Sequence, residues 1–128
     1  VFGARRPTET ALIQAIRGGL PQAALEAVAR QLNSPSNLNA LLSASKRTFA
    51  RRKKQARLTV GESDRLVRLA RLLARAVTIF GTREKAVAWL EQPNRALRNL
   101  APLSLMDTDI GAVEVGAVLT RIEHGVFA

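Results

Sequence analysis

The chain has 128 residues, 47% of them hydrophobic but only 4% aromatic, with no Cys, no Tyr, one Met, one Trp and one His. That length suits one compact domain or two very small ones sharing a core, and an aliphatic composition suits packed helices better than sheets. Without Cys there is no disulfide framework, thiolate zinc site or Cys nucleophile, and the formal net charge of +10 points to a polyanionic partner such as nucleic acid, anionic lipid or an acidic protein.

Gly18-Gly19, Pro21, Ser34-Pro35, Gly61, Gly81, Pro93-Asn94 and Pro102 punctuate the chain, and the segments between them read as helices. Residues 8–17 form a short helix ended by the two glycines. Residues 22–32 carry Ala24, Leu25, Val28, Ala29 and Leu32 at helical spacing. Ser34 is a good N-cap with Pro35 in the first turn, and Leu38, Leu41 and Leu42 follow on one face. A further short helix is expected from 45 to about 55.

Residues 62–80 form the clearest helix. Leu66, Leu69, Ala70, Leu73, Val77 and Phe80 share one face, and Arg65, Arg68, Arg71 and Arg75 lie opposite. Either Ser63 caps it or Gly61 marks its entry. Residues 82–90 make another helix, with Thr82 as N-cap and Ala86, Val87, Trp89 and Leu90 as its apolar set. Residues 102–106 read as a single helical turn. Thr108 or Asp107 caps a last helix running to about 124, with Gly125 as its C-cap. No segment alternates with period two, so the expected fold class is all-α.

The most apolar stretch, 66–80, is broken by Arg68, Arg71 and Arg75 and falls short of the roughly 20 apolar residues of a membrane span. The N-terminus carries no signal-peptide core. A cytoplasmic protein without a membrane partner is expected.

The charge is unevenly placed. Residues 1–75 hold 15 Lys/Arg and 4 Asp/Glu, net +11, whereas 76–128 hold 5 and 6, net −1. Such asymmetry suggests two functional halves. Residues 35–54 look like two short helices joined by a tight turn at Ser43-Ala44. The second helix places Ser45, Lys46, Arg47 and Thr48 in its first turn, the part that a helix-turn-helix presents to the major groove. Arg pairs with guanine in bidentate fashion, and Ser or Thr holds phosphate. Arg51, Arg52, Lys53, Lys54 and Arg57 extend a phosphate-binding surface, and Phe49 pins the helix to the core. From 46 to 57 there are seven basic residues and no acidic one. A charge run alone is usually a solvated face, but its place on the second helix of a turn-linked pair favours DNA.

In the last helix Ile110, Val113 and Ala117 share one face, while Val115, Val118, Leu119 and Ile122 share a broadly opposite one. A surface helix needs one apolar stripe. Two stripes mean either that the chain's own helices cover both sides or that one side faces a partner; the pattern leaves both open. His124 reads as a helix-end residue rather than a metal ligand, and Trp89 as core rather than an interface anchor. No Ser/His/Asp arrangement, Gly-rich phosphate loop or distinctive carboxylate pair is present, so no enzyme is expected.

The segments Ala88-Trp89-Leu90, Pro93-Asn94, Ala96-Leu97, Pro102-Leu103, Asp107-Thr108 and Gly111 lead to the ending Arg121-Ile122-Glu123-His124-Gly125-Val126-Phe127-Ala128. Together they resemble the toxin-binding domain of Xre/MbcA/ParS-type antitoxins, partners of RES-domain toxins. The stretch Ser45-Lys46-Arg47-Thr48-Phe49-Ala50-Arg51-Arg52, followed by Leu58 and Glu62-Ser63-Asp64-Arg65-Leu66, resembles the Xre-like helix-turn-helix of the same family. The departures are Ser43 where the turn commonly has Gly, Arg98-Asn99 where Gly is frequent, and Arg95 where Pro often follows Asn.

The resemblance implies an N-terminal segment (1–20), a DNA-binding part (21–75) and a toxin-binding domain (76–128). It implies an antitoxin that occludes the cleft of a toxin acting on NAD, needs no cofactor itself, binds its own promoter and forms a homodimer. The toxin would be held by Val115, Val118, Leu119, Arg121, Ile122 and His124, with Gly125, Val126, Phe127 and Ala128 as a plug. The alternatives are a stand-alone helix-turn-helix regulator without a toxin partner, and a basic membrane-surface protein using the Arg face of 62–80.

Overall fold

The computed structural model describes residues 8–33 and 57–125. Helix α1 (Glu9–Gly18) starts where Thr8 Oγ1 accepts a hydrogen bond from the Ala11 N–H at 3.0 Å. It stops at Gly19, whose φ of 78° is costly for any residue with a Cβ. A Cβ there would also stand 2.6 Å from the Leu58 carbonyl oxygen. Two distant pieces of chain cross at this point: the Leu58 N–H donates to the Leu20 carbonyl at 2.8 Å. Helix α2 (Gln22–Ala29) follows Pro21. It is shorter than the apolar spacing predicts, but Leu32, in the turn beyond it, is still buried.

Helix α3 (Val60–Phe80) begins two residues earlier than its apolar pattern predicts, because Thr59 and Glu62 form a reciprocal capping box. Thr59 Oγ1 accepts from the Glu62 N–H, and Glu62 Oε1 accepts from the Thr59 N–H. Ser63 is not the cap. It is fully buried, and its Oγ accepts from the Leu20 N–H at 2.8 Å, tying the α1–α2 link to the first turn of α3. The helix ends at Gly81, φ 93°.

Helix α4 (Arg83–Glu91) is capped by Thr82, and α5 (Asp109–Glu123) by Thr108. Between them lie two short 3₁₀ turns, η1 (Arg95–Leu97) and η2 (Pro102–Leu105). The described residues are all-α, with two isolated backbone bridges, Pro21 to Arg57 and Asn94 to Leu100, and no strand. Residues 34–56, which include the expected Ser34-Pro35 cap, the Ser43-Ala44 turn and Phe49, lie outside the described residues.

Helix α3 is the central element. It packs against α1, α4 and α5, and α5 also rests on η1 and η2. Leu66, Leu69, Leu73 and Ala76 of α3 meet Ala86, Val87 and Leu90 of α4, Leu97 and Met106 from the connecting turns, and Val115, Val118 and Leu119 of α5 in one buried cluster. Burial of roughly 1.5–3 kcal/mol per large aliphatic side chain makes this cluster the main stabilising term. The +11/−1 charge boundary at residue 75 therefore falls inside one continuous helix.

Candidate functional site

The sequence leaves two apolar stripes on the last helix, and the structure separates them. Val115, Val118 and Leu119 are at most 1% exposed, held against the α3–α4 cluster, and Ile122 is half-buried beside them. The family resemblance offers these residues as partner contacts. The correction is that Val115, Val118 and Leu119 are core, because α3 and both 3₁₀ turns cover that side of α5. The other stripe is uncovered: Ile110 is 77% exposed and Val113 64%. At 100° per residue Ala117, Arg121 and His124 continue the same side, and all three are exposed.

The N-terminal end of this helix is set by close backbone approach. Thr108 Oγ1 accepts from the Gly111 N–H at 3.0 Å. A Cβ on Gly111 would lie 1.9 Å from the Leu105 carbonyl oxygen, so α5 can sit on η2 only with glycine at this position. The C-terminal end closes with the His124 N–H donating to the Thr120 carbonyl and the Gly125 N–H to Ile122, with Gly125 at φ 76°. The backbone of His124 thus fulfils the helix-end role, and the left-handed glycine turns the chain off the helix axis. Val126, Phe127 and Ala128 lie outside the described residues.

Beside the exposed stripe, Arg98 makes a bidentate ion pair with Glu114, Nη1 to Oε2 at 2.9 Å and Nη2 to Oε1 at 3.1 Å. Arg98 and Asn99 have φ of 60° and 62°, the left-handed region that favours glycine. They are two of the positions where the resemblance expects glycine. The turn is held around Asn94, whose Oδ1 accepts from the Ala96 N–H and whose carbonyl accepts from the Asn99 N–H at 2.9 Å each. The Arg98 hydrogen bond and charge hold the Glu114 carboxyl below its ordinary range. The pair therefore contributes its full stability above the ordinary carboxylate range and loses it as the pH falls through that lowered value. Glu114→Gln should flatten this acid-side loss, read as unfolding midpoints of both proteins across a pH series. An equally steep decline in the variant would exclude the pair as its source.

Of the candidate DNA contacts, Ser45, Lys46, Arg47, Thr48, Arg51, Arg52, Lys53 and Lys54 lie outside the described residues. Arg57 is described, and its Nη1 donates to the Gly19 carbonyl at 2.8 Å, so it braces the crossing of the two chain segments. The arginines of α3 are also committed to their own chain. Arg68 pairs with Asp64 at 2.9 Å, Arg71 with Glu9 at 3.1 Å, and Arg75 reaches α5. The apolar face of α3 is core, so α3 itself offers no free apolar side to a membrane surface. Among the described residues no helix is long and apolar enough to cross a membrane, and no group of three His, Asp or Glu is placed to hold a metal. Trp89 packs at the core edge with its ring centroid 5.5 Å from that of Phe80.

Comparison with known proteins finds two family matches along the chain. Residues 11–71 match the antitoxin Xre-like helix-turn-helix domain, and residues 75–125 match the antitoxin Xre/MbcA/ParS C-terminal toxin-binding domain. The two matches meet inside α3. Among curated proteins, an antitoxin Xre of Yersinia enterocolitica is 40% identical over 79 residues, covering 61% of this chain and 53% of the relative. One of Photorhabdus laumondii is 38% identical over 82 residues, covering 62% and 55%. One of Pseudomonas putida is 40% identical over 68 residues, covering 53% and 43%. The chain spans about half the length of the curated relatives it matches.

Proposed function

The chain belongs to the family of Xre/MbcA/ParS-type antitoxins, and from that premise we propose that it neutralises a toxin protein through α5 and the tail beyond it, while residues 45–54 hold operator DNA. It is a regulatory protein and not an enzyme. The observation that carries the reading is the uncovered stripe of α5. A domain with a well-filled core keeps Ile110 and Val113 in water, at a cost that docking of a partner removes. Arg121 and His124 extend that stripe towards Gly125, where the chain leaves the helix. The stripe replaces Val115, Val118 and Leu119 as the helical part of the contact surface.

The finer features rest on the resemblance of the ending 121–128. The partner is a RES-domain toxin that degrades NAD or transfers its ADP-ribose, and the segment 125–128 enters its cleft, with Phe127 as the aromatic anchor. The chain represses its own promoter as a homodimer, since a two-fold pair presents two recognition helices to two half-sites. The stand-alone regulator is the alternative; it accounts for the basic segment and leaves the last helix to core packing or dimerisation.

Removing residues 125–128 should leave the thermal unfolding of the purified chain unchanged. Affinity for the co-purified toxin should drop by about 2 kcal/mol, the scale of losing one buried aromatic anchor. A titration in which the truncated chain still suppresses NAD consumption at the same stoichiometry and affinity would overturn the plug. Failure of any RES-domain toxin to co-purify with the intact chain would favour the stand-alone regulator.

A further inference from the structure

Arg75 projects from α3 across the last turns of α5. Its Nη1 donates to the Gly116 carbonyl at 3.1 Å and its Nη2 to Thr120 Oγ1 at 2.6 Å. Nη2 also stands 3.5 Å from Glu123 Oε1. These three acceptors are four and three residues apart, on successive turns of one helix face. Thr120 Oγ1 donates in turn to the Gly116 carbonyl at 3.0 Å, so the contacts close into a small network. The Arg75 side chain is 35% exposed, which leaves these charge-assisted bonds partly shielded from water. A cation here also opposes the negative end of the helix dipole.

The rest of that helix end is weakly built. Gly116 sits in the helix interior, where glycine costs about 1 kcal/mol relative to alanine. Among the described residues, only the half-buried Ile122 joins the core beyond Leu119. Arg98 also reaches α5, but it binds Glu114, in the N-terminal half.

We propose that Arg75 is a positioning residue for partner binding: it fixes the last two turns of α5 and thereby the placement of Arg121, His124 and Gly125, where the helix ends. The inference rests on the proposed role of the tail in holding toxin. It also makes α3, which bears the basic half's last arginine, the element that aims the toxin-binding end.

The test combines Arg75→Met with the milder Arg75→Lys and with Thr120→Val, which removes one acceptor from the α5 side. Amide hydrogen exchange of the free chain is read first, without toxin. In Arg75→Met, exchange over 120–125 should rise about tenfold, the scale of losing a charge-assisted hydrogen bond, while 112–115 stays unchanged. Arg75→Lys should restore part of the protection, and Thr120→Val should show a smaller rise. Affinity for the co-purified RES-domain toxin should fall in the same order, with unchanged binding to operator DNA. Unchanged exchange over 120–125 in Arg75→Met would overturn the inference. So would raised exchange with full toxin affinity, provided removal of 125–128 abolishes binding. If that removal leaves toxin affinity intact, the tail reading fails and the positioning role falls with it, whereas the exchange data still report the hold on the helix.

Discussion

Gly111→Ala should unfold the protein or cost it about 3 kcal/mol or more, the upper range for forcing a methyl group into a filled site. The added Cβ would meet the Leu105 carbonyl oxygen at 1.9 Å and its carbon at 2.9 Å. Both are backbone atoms, so no flexible side chain can swing aside. Relief requires α5 to lift from η2, which pulls Ala112 and Val115 out of the core. Against a typical total stability of about 5–15 kcal/mol, that loss is large. Gly116→Ala, five residues on in the same helix, is the control. Its nearest neighbour is Arg75 Nη1 at 3.7 Å, an ordinary contact, so the gain in helix propensity of up to about 1 kcal/mol should prevail. Urea titrations of the two variants should therefore shift in opposite directions. A Gly111→Ala midpoint equal to that of the native chain would show that the approach of α5 to η2 is looser than the structure gives.

Replacing Arg51, Arg52, Lys53 and Lys54 together by Ala should remove most of the affinity for DNA at low salt. It should also flatten the dependence of log K on log salt by about 0.9 for each phosphate left without its cation. The expectation follows from where the excess charge stands, since residues 46–57 hold seven basic residues and no acidic one. Arg47→Ala should behave differently, relaxing preference at one base pair by about 1–3 kcal/mol with a slope changed by at most about one. Arg57→Ala should lower stability with little effect on the slope, because its guanidinium braces the Gly19 carbonyl. Fluorescence anisotropy with an operator duplex at several salt concentrations separates the three. An unchanged slope in the fourfold variant would remove the DNA assignment of that segment.

Much of the architecture is legible in the chain because it is written in local chemistry. Thr8, Thr82 and Thr108 each stand at a helix start and each accept a backbone N–H there, and Gly19, Gly81 and Gly125 end helices with positive φ. Such signals depend on residues three or four apart and need no knowledge of the fold. The capping box at Thr59 and Glu62 follows the same rule. It is hidden because the apolar pattern begins later, at Leu66, and points to Ser63 instead. The turn η1 is hidden for a different reason. Its left-handed pair is Arg98-Asn99 in place of the glycines that would announce it.

What the sequence alone determined is the all-α class, the order of the described helices, the division into a basic and a near-neutral part, and a resemblance to antitoxins carried by short motifs. Each follows from periodicity, caps, charge and motifs, which are properties of neighbours along the chain. Which stripe of α5 is core is a matter of tertiary structure, because both stripes are apolar and both follow helical spacing. The decision depends on α3 and the two 3₁₀ turns closing over Val115, Val118 and Leu119 while nothing in the described chain closes over Ile110 and Val113. The same holds for the arginines. One helix face of Arg65, Arg68, Arg71 and Arg75 looks like a solvated basic surface until folding brings Glu9 to Arg71 and Gly116, Thr120 and Glu123 to Arg75. Those partners lie far away in sequence, and only the packing of α1 and α5 against α3 brings them within hydrogen-bonding range.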